Sequence, residues 1–316
     1  MLTAAQLEAR KHGIGASDIA AICGVSRWGS PMRVYLDKIG ASEPLEQTEA
    51  MYWGSVNERN VVRRFGEEHP EYTVVYRPKA LPHVHPAHPW AMATPDALLD
   101  LLSPTHQHAG LEVKTASAYK REEWDGDSPP VEYVLQCQWS MCVLGYDKWY
   151  LAVLIGGNEY REFVVERDDE LIAELLLRGR AFWTLVENRT PPAIDGSEDS
   201  TRVLATMYPA DEAVEDAVNL PAGTDELAKQ HKALKAQAKA IEAELALVDN
   251  QLKAALAEHV VGYTPAGYTV KWSPRSRAVF NAKALLAEHP KLGAKYQGTT
   301  QYRQLAVLLG DTEEEE

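Results

Sequence analysis

Cysteine is scarce: Cys23, Cys137 and Cys142 are all that 316 residues contain. An odd, widely spaced set in apolar surroundings argues against a disulfide framework or a zinc site. The three read as small core residues. No apolar run approaches the roughly 18 residues that a membrane-spanning helix needs. The first ten residues carry Glu8 and no apolar stretch, so the form of a secretory leader is missing and a cytoplasmic location is expected. Basic residues are also in short supply. There are 32 Lys plus Arg against 46 Asp plus Glu, a net charge of −14, which disfavours non-specific polyanion binding but does not govern the chemistry of one cleft. Glu313 to Glu316 supply part of the excess and read as a solvated tail.

The rest is ordinary globular composition, 45% hydrophobic and 25% charged, long enough for about one to two domains. Residues 17 to 68 read as helices, with Ser17 as an N-cap, Pro31 opening a second helix and Trp53 to Phe65 in helical spacing. From Tyr72 the pattern alternates. Tyr72–Tyr76, Trp90–Leu102 and Gly110–Thr115 are predicted strands of a meander, with a turn at Ser103-Pro-Thr-His106. A helix through Gly145 follows, then strands at Trp149–Ile155 and Glu159–Val165, then a helix from Asp168 to about Glu187. The division drawn is a domain at 1–190, a linker at 191–224 rich in Pro, Gly, Ser and acid, and an extension at 225–316. In the extension, Leu234, Ala238, Ile241, Leu245, Val248 and Leu252 alternate spacings of four and three, predicting a long helix with a coiled-coil seam that pairs with a partner or folds back. Tyr268–Trp272 and Asn281–Glu288 are predicted as a strand and a short helix.

The chemistry concentrates at Pro95-Asp96 and, after fifteen intervening residues, Glu112-Val113-Lys114. Residues two apart on a strand share a face, so Glu112 and Lys114 project together and a hairpin-like return brings Asp96 beside them. Adjacent carboxylates repel unless a cation neutralises them, and hard oxygen donors suit Mg²⁺ or Mn²⁺. Such an ion activates water and offsets charge on a phosphoryl oxygen, and a neighbouring ammonium orients the water or stabilises the transition state. A Glu-x-Lys on a strand also suits a plain cross-strand ion pair. Upstream, Trp53-Gly54 precedes Glu58 on a helix, offering an outer carboxylate. Downstream, Tyr133, Gln136 and Gln138 lie on the next helix, where a glutamine reaches a bound water or phosphate, or is simply solvated. Arg10 and Ser17 flank a glycine-containing turn at a helix start, a pattern that suits either an anion pocket or a capped helix.

Taken in order, Arg10 with Gly-Ile-Gly-Ala-Ser17, Trp53-Gly54 with Glu58, Pro95-Asp96, Glu112-Val-Lys114, and Tyr133 with Gln136 and Gln138 resemble the YqaJ-type viral recombinases. These are similar to phage lambda exonuclease and belong to the PD-(D/E)XK nuclease superfamily. The resemblance covers roughly residues 10 to 166. It implies an α/β (α+β) nuclease core with a central mixed sheet flanked by helices, here followed by a C-terminal extension with a long coiled-coil-like helix. It also implies a metal-dependent exonuclease that degrades one strand of linear duplex DNA from its 5′ end, in a bacterial or phage-infected cell, leaving a 3′ overhang for recombination. By the same resemblance, Asp96, Glu112 and the Val113 carbonyl hold Mg²⁺ (Mn²⁺ substituting), Lys114 acts on the water, and Glu58 and Gln136 complete the site. Arg10 and Ser17 grip the 5′ phosphate, with Gln138 and Tyr133 among the DNA contacts. Related enzymes are homo-oligomers, closed ring trimers around DNA, that work beside a single-strand annealing protein. The chain departs from the pattern at Ala97, where relatives often have glycine, and in its extension after residue 190, an arm that could replace, block or decorate a ring interface and so puts trimerisation in doubt.

Two other readings use the same residues: an endonuclease of the same superfamily, and a non-catalytic DNA-binding recombination scaffold. An iron–sulfur nuclease needs four cluster cysteines and is excluded. His83, His85, His88, His106 and His108 are irregularly spaced in a Pro-rich stretch and read as loop residues rather than zinc ligands. Trp28 and Trp124, in polar loops, are candidates for base stacking, while Trp90 and Trp139 are expected in the core. Arg10, Lys11, Arg27, Arg33, Lys120 and Arg121 are candidate phosphate contacts if they line one groove.

Overall fold

The computed structural model describes residues 3–42, 47–101, 108–296 and 298–308. It divides into two compact units, Met1–Met207 and Tyr208–Glu316. The expected turn at Ser103–His106, the Leu102 end of its strand and the Glu313–Glu316 tail lie outside the described residues.

The amino-terminal unit opens with α1 (Ala4–Arg10). Its cap is a Thr3–Gln6 box in which each side chain accepts the other residue's N–H. α2 (Ala16–Ile22) begins at Gly15 and not at Ser17, because the Asp18 carboxylate turns back to accept the Gly15 N–H at 2.8 Å. α3 (Pro31–Ile39) has proline in its first turn behind the Ser30 cap, as proline's fixed φ favours, and stops at Gly40 in the left-handed region. α4 (Glu49–Glu68) leads to β1 (Tyr72–Tyr76), β2 (His83–Val84), β3 (Met92–Ala93), β4 (Ala97–Leu101) and β5 (Ala109–Ala116). A 3₁₀ turn at Ala118–Trp124 precedes α5 (Val131–Leu144), then β6 (Lys148–Ile155), β7 (Glu159–Glu166), α6 (Asp169–Glu187) and α7 (Glu198–Met207).

Strands β1, β4, β5, β6 and β7 form one mixed sheet in that order, antiparallel except for the β5–β6 pair. A parallel pair needs a crossover, and α5 provides it. The single strand expected over Trp90–Leu102 is two. Pro95, which has no N–H for the ladder, separates β3 from β4, and β3 pairs instead with β2 in a short ribbon.

The alternation of strand side chains fills both faces. Leu111 and Val113 pack with Val61, Val62 and Phe65 of α4, whereas Trp149, Leu151 and Val153 of β6 pack with Cys137 and Met141 of α5. The period of two therefore sends Glu112 and Lys114 to the α5 side. Gly110, on that same face, admits no side chain: a Cβ there would stand 2.2 Å from the Trp149 indole.

Residues 191–197 carry no regular structure, in keeping with their composition, but the segment assigned as linker also contains α7. Asp199 of α7 is 3% exposed and accepts the Ser30 N–H, the Ser30 hydroxyl and Arg33 Nε, each at 2.9 Å. A buried acid so tied to α3 makes α7 part of the amino-terminal unit, which runs to Met207.

The carboxy-terminal unit holds α8 (Thr224–Leu256), an antiparallel hairpin of β8 (Val261–Tyr263) and β9 (Thr269–Lys271), α9 (Ala282–Glu288) and α10 (Pro290–Tyr296). Leu256 is buried beside Gly262, where the hairpin meets the end of α8.

Replacing Asp199 by alanine strands Ser30 and Arg33 without their acceptor and is expected to cost about 3 kcal/mol in urea unfolding. A loss under about 1 kcal/mol, the scale of an exposed pair, would show that α7 is not a structural part of this unit.

Candidate active site

Asp96 stands at the foot of β4, immediately after the proline between β3 and β4, and its Oδ2 accepts the Val113 N–H of β5 at 2.7 Å. The two sequence motifs are therefore joined by a direct hydrogen bond. Glu112 is 4% exposed, and its Oε1 accepts from both Lys114 Nζ and Gln136 Nε2, each at 2.5 Å. Glu58, on α4, is half-buried and close enough to feel the charges of Glu112 and Lys114. Ala97 is buried under α4 with Val61 and Phe65.

The electrostatics follow from that crowding. Burial, with Glu112 and Glu58 as like-charged neighbours, pushes the Asp96 carboxyl well above the usual carboxylate range, overriding Lys114 and the Val113 amide. Burial and Glu112 likewise raise Glu58, against the Tyr76 hydroxyl and Lys114. Lys114 behaves oppositely: burial disfavours its ammonium, but Glu112 and Asp96 outweigh this and hold its pKa above the ordinary lysine value. Three carboxyls thus converge on one ammonium. Among the described residues, no group of three or more His, Cys, Asp or Glu side chains stands at metal-holding distances. The oxygens of Asp96 and Glu112 are hard donors of the kind that could hold a partly hydrated divalent cation.

The amino-terminal turn is fastened to the same region. Ile14 donates its N–H to the Trp90 carbonyl at 2.6 Å, and its own carbonyl accepts from Met92. Gly13 lies so close that a Cβ would meet the Trp90 oxygen at 2.7 Å. Arg10 donates to Ser17 Oγ at 3.4 Å and to Asp18 Oδ1 at 3.1 Å. Asp18 and Lys38, neither of which the sequence motifs single out, organise this turn: Lys38 Nζ donates to Asp18 Oδ2 and to the Arg10 carbonyl, at 2.5 and 2.8 Å. Asp18 carries a capping signal three residues after Gly15, while Lys38 sits on α3 with no local pattern to mark it. A cleft of about 180 Å³ joins the two halves, lined by Arg10, Gly15, Ser17, Glu58, Asp96 and Gln136.

Other candidates separate. The Tyr133 ring lies 5.1 Å from Lys114 Nζ and stacks on Trp124 at 5.3 Å. Trp124 is buried, so it packs the core instead of meeting a base. Trp28 is 64% exposed, with Lys120 Nζ 4.5 Å from its ring, and neighbours the Tyr133 hydroxyl. Trp90 and Trp139 are buried, as expected. Gln138 does not face the cleft. Its amide donates to the Glu166 carbonyl and accepts the Asp168 N–H, pinning α5 to the β7–α6 junction. The basic residues do not form one open groove, because Lys11 pairs with Glu8, Arg27 with Glu123 and Glu132, Arg33 with Asp199, and Arg121 with Glu159. His85 and His88 stack on each other, His108 bonds Asp100, and His106 lies outside the described residues.

Burial opposes ionisation of Asp18, yet Lys38 and Arg10 bring its pKa down from 3.8 to about 2. A depressed acid stabilises the fold above its unfolded value and loses that contribution as pH falls through its folded value. The expected loss, roughly 2 kcal/mol between about pH 4 and pH 2, belongs to the native chain and not to Asp18→Asn. Urea midpoints of the two across that range check it, and parallel profiles would contradict the assignment.

The YqaJ-like viral recombinase domain matches residues 6–147. The uncharacterized protein YqaJ of Bacillus subtilis (strain 168) is 32% identical over 302 residues, which cover 94% of this chain and 92% of that protein. Among solved structures, LHK-Exo in complex with dAMP is similar at a TM-score of 0.50 and 22% identity, over 65% of this chain and all of that one. The alkaline exonuclease LHK-Exo from Laribacter hongkongensis also matches, at a TM-score of 0.48 and 21% identity over the same shares. The mixed sheet and its flanking helices share the fold of the LHK-Exo complex. With a relative so similar along nearly the whole of both chains, and the domain match falling on the residues that build the cleft, the chain belongs to the YqaJ-like viral recombinase family.

Proposed function

We propose that the chain is a divalent-cation-dependent exonuclease that hydrolyses one strand of linear double-stranded DNA from 5′ to 3′, leaving 3′ overhangs for phage-type homologous recombination. The observation that carries this reading is the cleft itself: Asp96, Glu58 and Gln136 line it together with Arg10 and Ser17, and Gln136 is bonded to Glu112, which in turn holds Lys114. A cation held by Asp96, Glu112 and the Val113 carbonyl, Mg²⁺ or Mn²⁺, supplies Lewis acidity at a phosphoryl oxygen.

The chain's own residues do the rest. Lys114, kept as an ammonium by its carboxylate neighbours, orients the attacking water by hydrogen bonding and stabilises the charge that grows on phosphate oxygens. Its tether to Glu112 and its seat beside the Tyr133 ring hold Nζ in place. Gln136 fixes the Glu112 carboxylate from α5, and Glu58 accepts the proton that the reaction liberates, its raised pKa making it the better base. Arg10 and the Ser17 hydroxyl grip a terminal 5′ phosphate, Arg10 being oriented by Asp18. The 3′ strand so exposed is a substrate for a single-strand annealing protein.

Asp96→Asn or Lys114→Ala is expected to lower cleavage of linear duplex by a factor of about 10³ or more while DNA binding in chelator persists. Full activity in either variant would refute the roles. Arg10→Ala should erase the preference for 5′-phosphorylated over 5′-hydroxyl ends. An equal loss on both kinds of end would count against the phosphate grip. Covalently closed circular DNA should stay intact, and its nicking would favour an endonuclease.

The crowded carboxylates also give a readout independent of cleavage. A carboxyl raised above its unfolded value opposes folding once pH climbs past its unfolded pKa, so at neutral pH Asp96 is a local source of instability that a bound cation would relieve. Millimolar Mg²⁺ or Mn²⁺ should therefore raise the melting temperature at neutral pH, by a few degrees. Asp96→Asn should lose that response.

A further inference from the structure

The apolar stripe of α8 faces solvent. Leu227, Leu234, Ile241 and Val248 recur every seven residues, and their relative exposures are 64, 56, 64 and 49%. Offset from them by four residues come Ala238, Leu245 and Leu252, also exposed. With Leu245 taken as heptad position a, the first series occupies d and the second a, with His231 as the one polar residue in the seam. The helix is about 50 Å long, and a stripe of that length calls for a partner.

The charges of α8 say which partner. Lys229, Lys232, Lys235 and Lys239 lie in a stretch, 227–241, that holds no acid, and Glu242, Glu244 and Asp249 lie in the next, 242–249, that holds no Lys or Arg. The order reverses at the ends, with Asp225 and Glu226 before the lysines and Lys253 after the acids. A helix whose charge pattern inverts about its own midpoint is complementary to itself turned end for end.

We infer that α8 pairs with α8 of a second copy of this chain, antiparallel, about a two-fold axis near residues 239 and 240. An antiparallel seam sets each a position against a d position. One register then satisfies every layer: Leu245 faces Leu234 of the second copy, Ala238 faces its Ile241, Leu252 its Leu227 and His231 its Val248. That register comes from the apolar residues alone, and the charges obey it. At the e positions that flank the seam, Lys235 meets Glu242 of the second copy, twice by symmetry, and the lysine-rich stretch overlies the acidic one within about a Debye length. A parallel pair in register would set four lysines against four lysines and Glu244 beside Asp249. The pairing is isologous, as a two-fold dimer requires, and His231 lowers its stability while penalising other registers. It goes beyond the proposed nuclease chemistry and does not depend on it.

Sedimentation equilibrium of the full chain tests this, with circular dichroism to confirm that helix content is unchanged in each variant. The expected mass is about twice the 35.1 kDa of one chain. Lys235→Glu and Glu242→Lys should each raise the dimer dissociation constant about fivefold or more, because each places like charges together twice. Combining them restores both pairs with their signs exchanged, and the dissociation constant should return to within about twofold of the native value. Leu245→Lys should leave a monomer. A native chain that is monomeric at every accessible concentration, a double variant weaker than either single one, or a dimer or trimer that Leu245→Lys leaves intact would each overturn the proposal.

Discussion

Repulsion among carboxylates around the middle of β5 is the constraint on which the rest of the active region depends. Glu112 is buried, and its one oxygen serves both Lys114 and Gln136, while Asp96 and Glu58 press on it with the same charge. Each neighbouring element answers that strain in electrostatics. The alternation of β5 turns Glu112 and Lys114 to one side, α5 brings Gln136, and the break at Pro95 lets Asp96 reach across to the Val113 amide. What is left over is a surplus of negative charge, which a divalent cation suits.

The amino-terminal turn meets this cluster because backbone docks on backbone. Ile14 is hydrogen-bonded to both Trp90 and Met92, only a few residues before Asp96, so the Arg10–Ser17 turn cannot drift from the carboxylates without losing those bonds. Inside the turn, the buried Asp18–Lys38 pair does for Arg10 what Gln136 does for Glu112: it fixes the direction of a charged group.

Much of this was legible in the residues. Alternation marked β1 and β5, Pro31 marked the start of α3 and Gly145 the end of α5, and the Glu112, Lys114 spacing put the two side chains together because strand geometry turns a separation of two into a shared face. What escaped depended on partners distant in sequence. Gln138 has the residue type of a phosphate ligand, yet Glu166 and Asp168 claim its amide. Trp124 lies among polar neighbours but is covered by Tyr133 and Phe163. Asp199 follows a stretch with linker composition, and only its bonds to Ser30 and Arg33, more than 160 positions away, make α7 part of the first unit. The basic residues near the motifs suggested a groove, but most are already neutralised by acids that no local pattern ties to them.

The two units have different physical characters. The first is built around buried charge held by neighbours, and the second around an exposed apolar stripe with charges sorted along its length. The central claim concerns the first, that Asp96 and Glu112 together hold a divalent cation. Anomalous diffraction from crystals grown with Mn²⁺ tests it most directly. A peak between the two carboxylates is the expected result, and a map with both side chains ordered and no peak between them would contradict it.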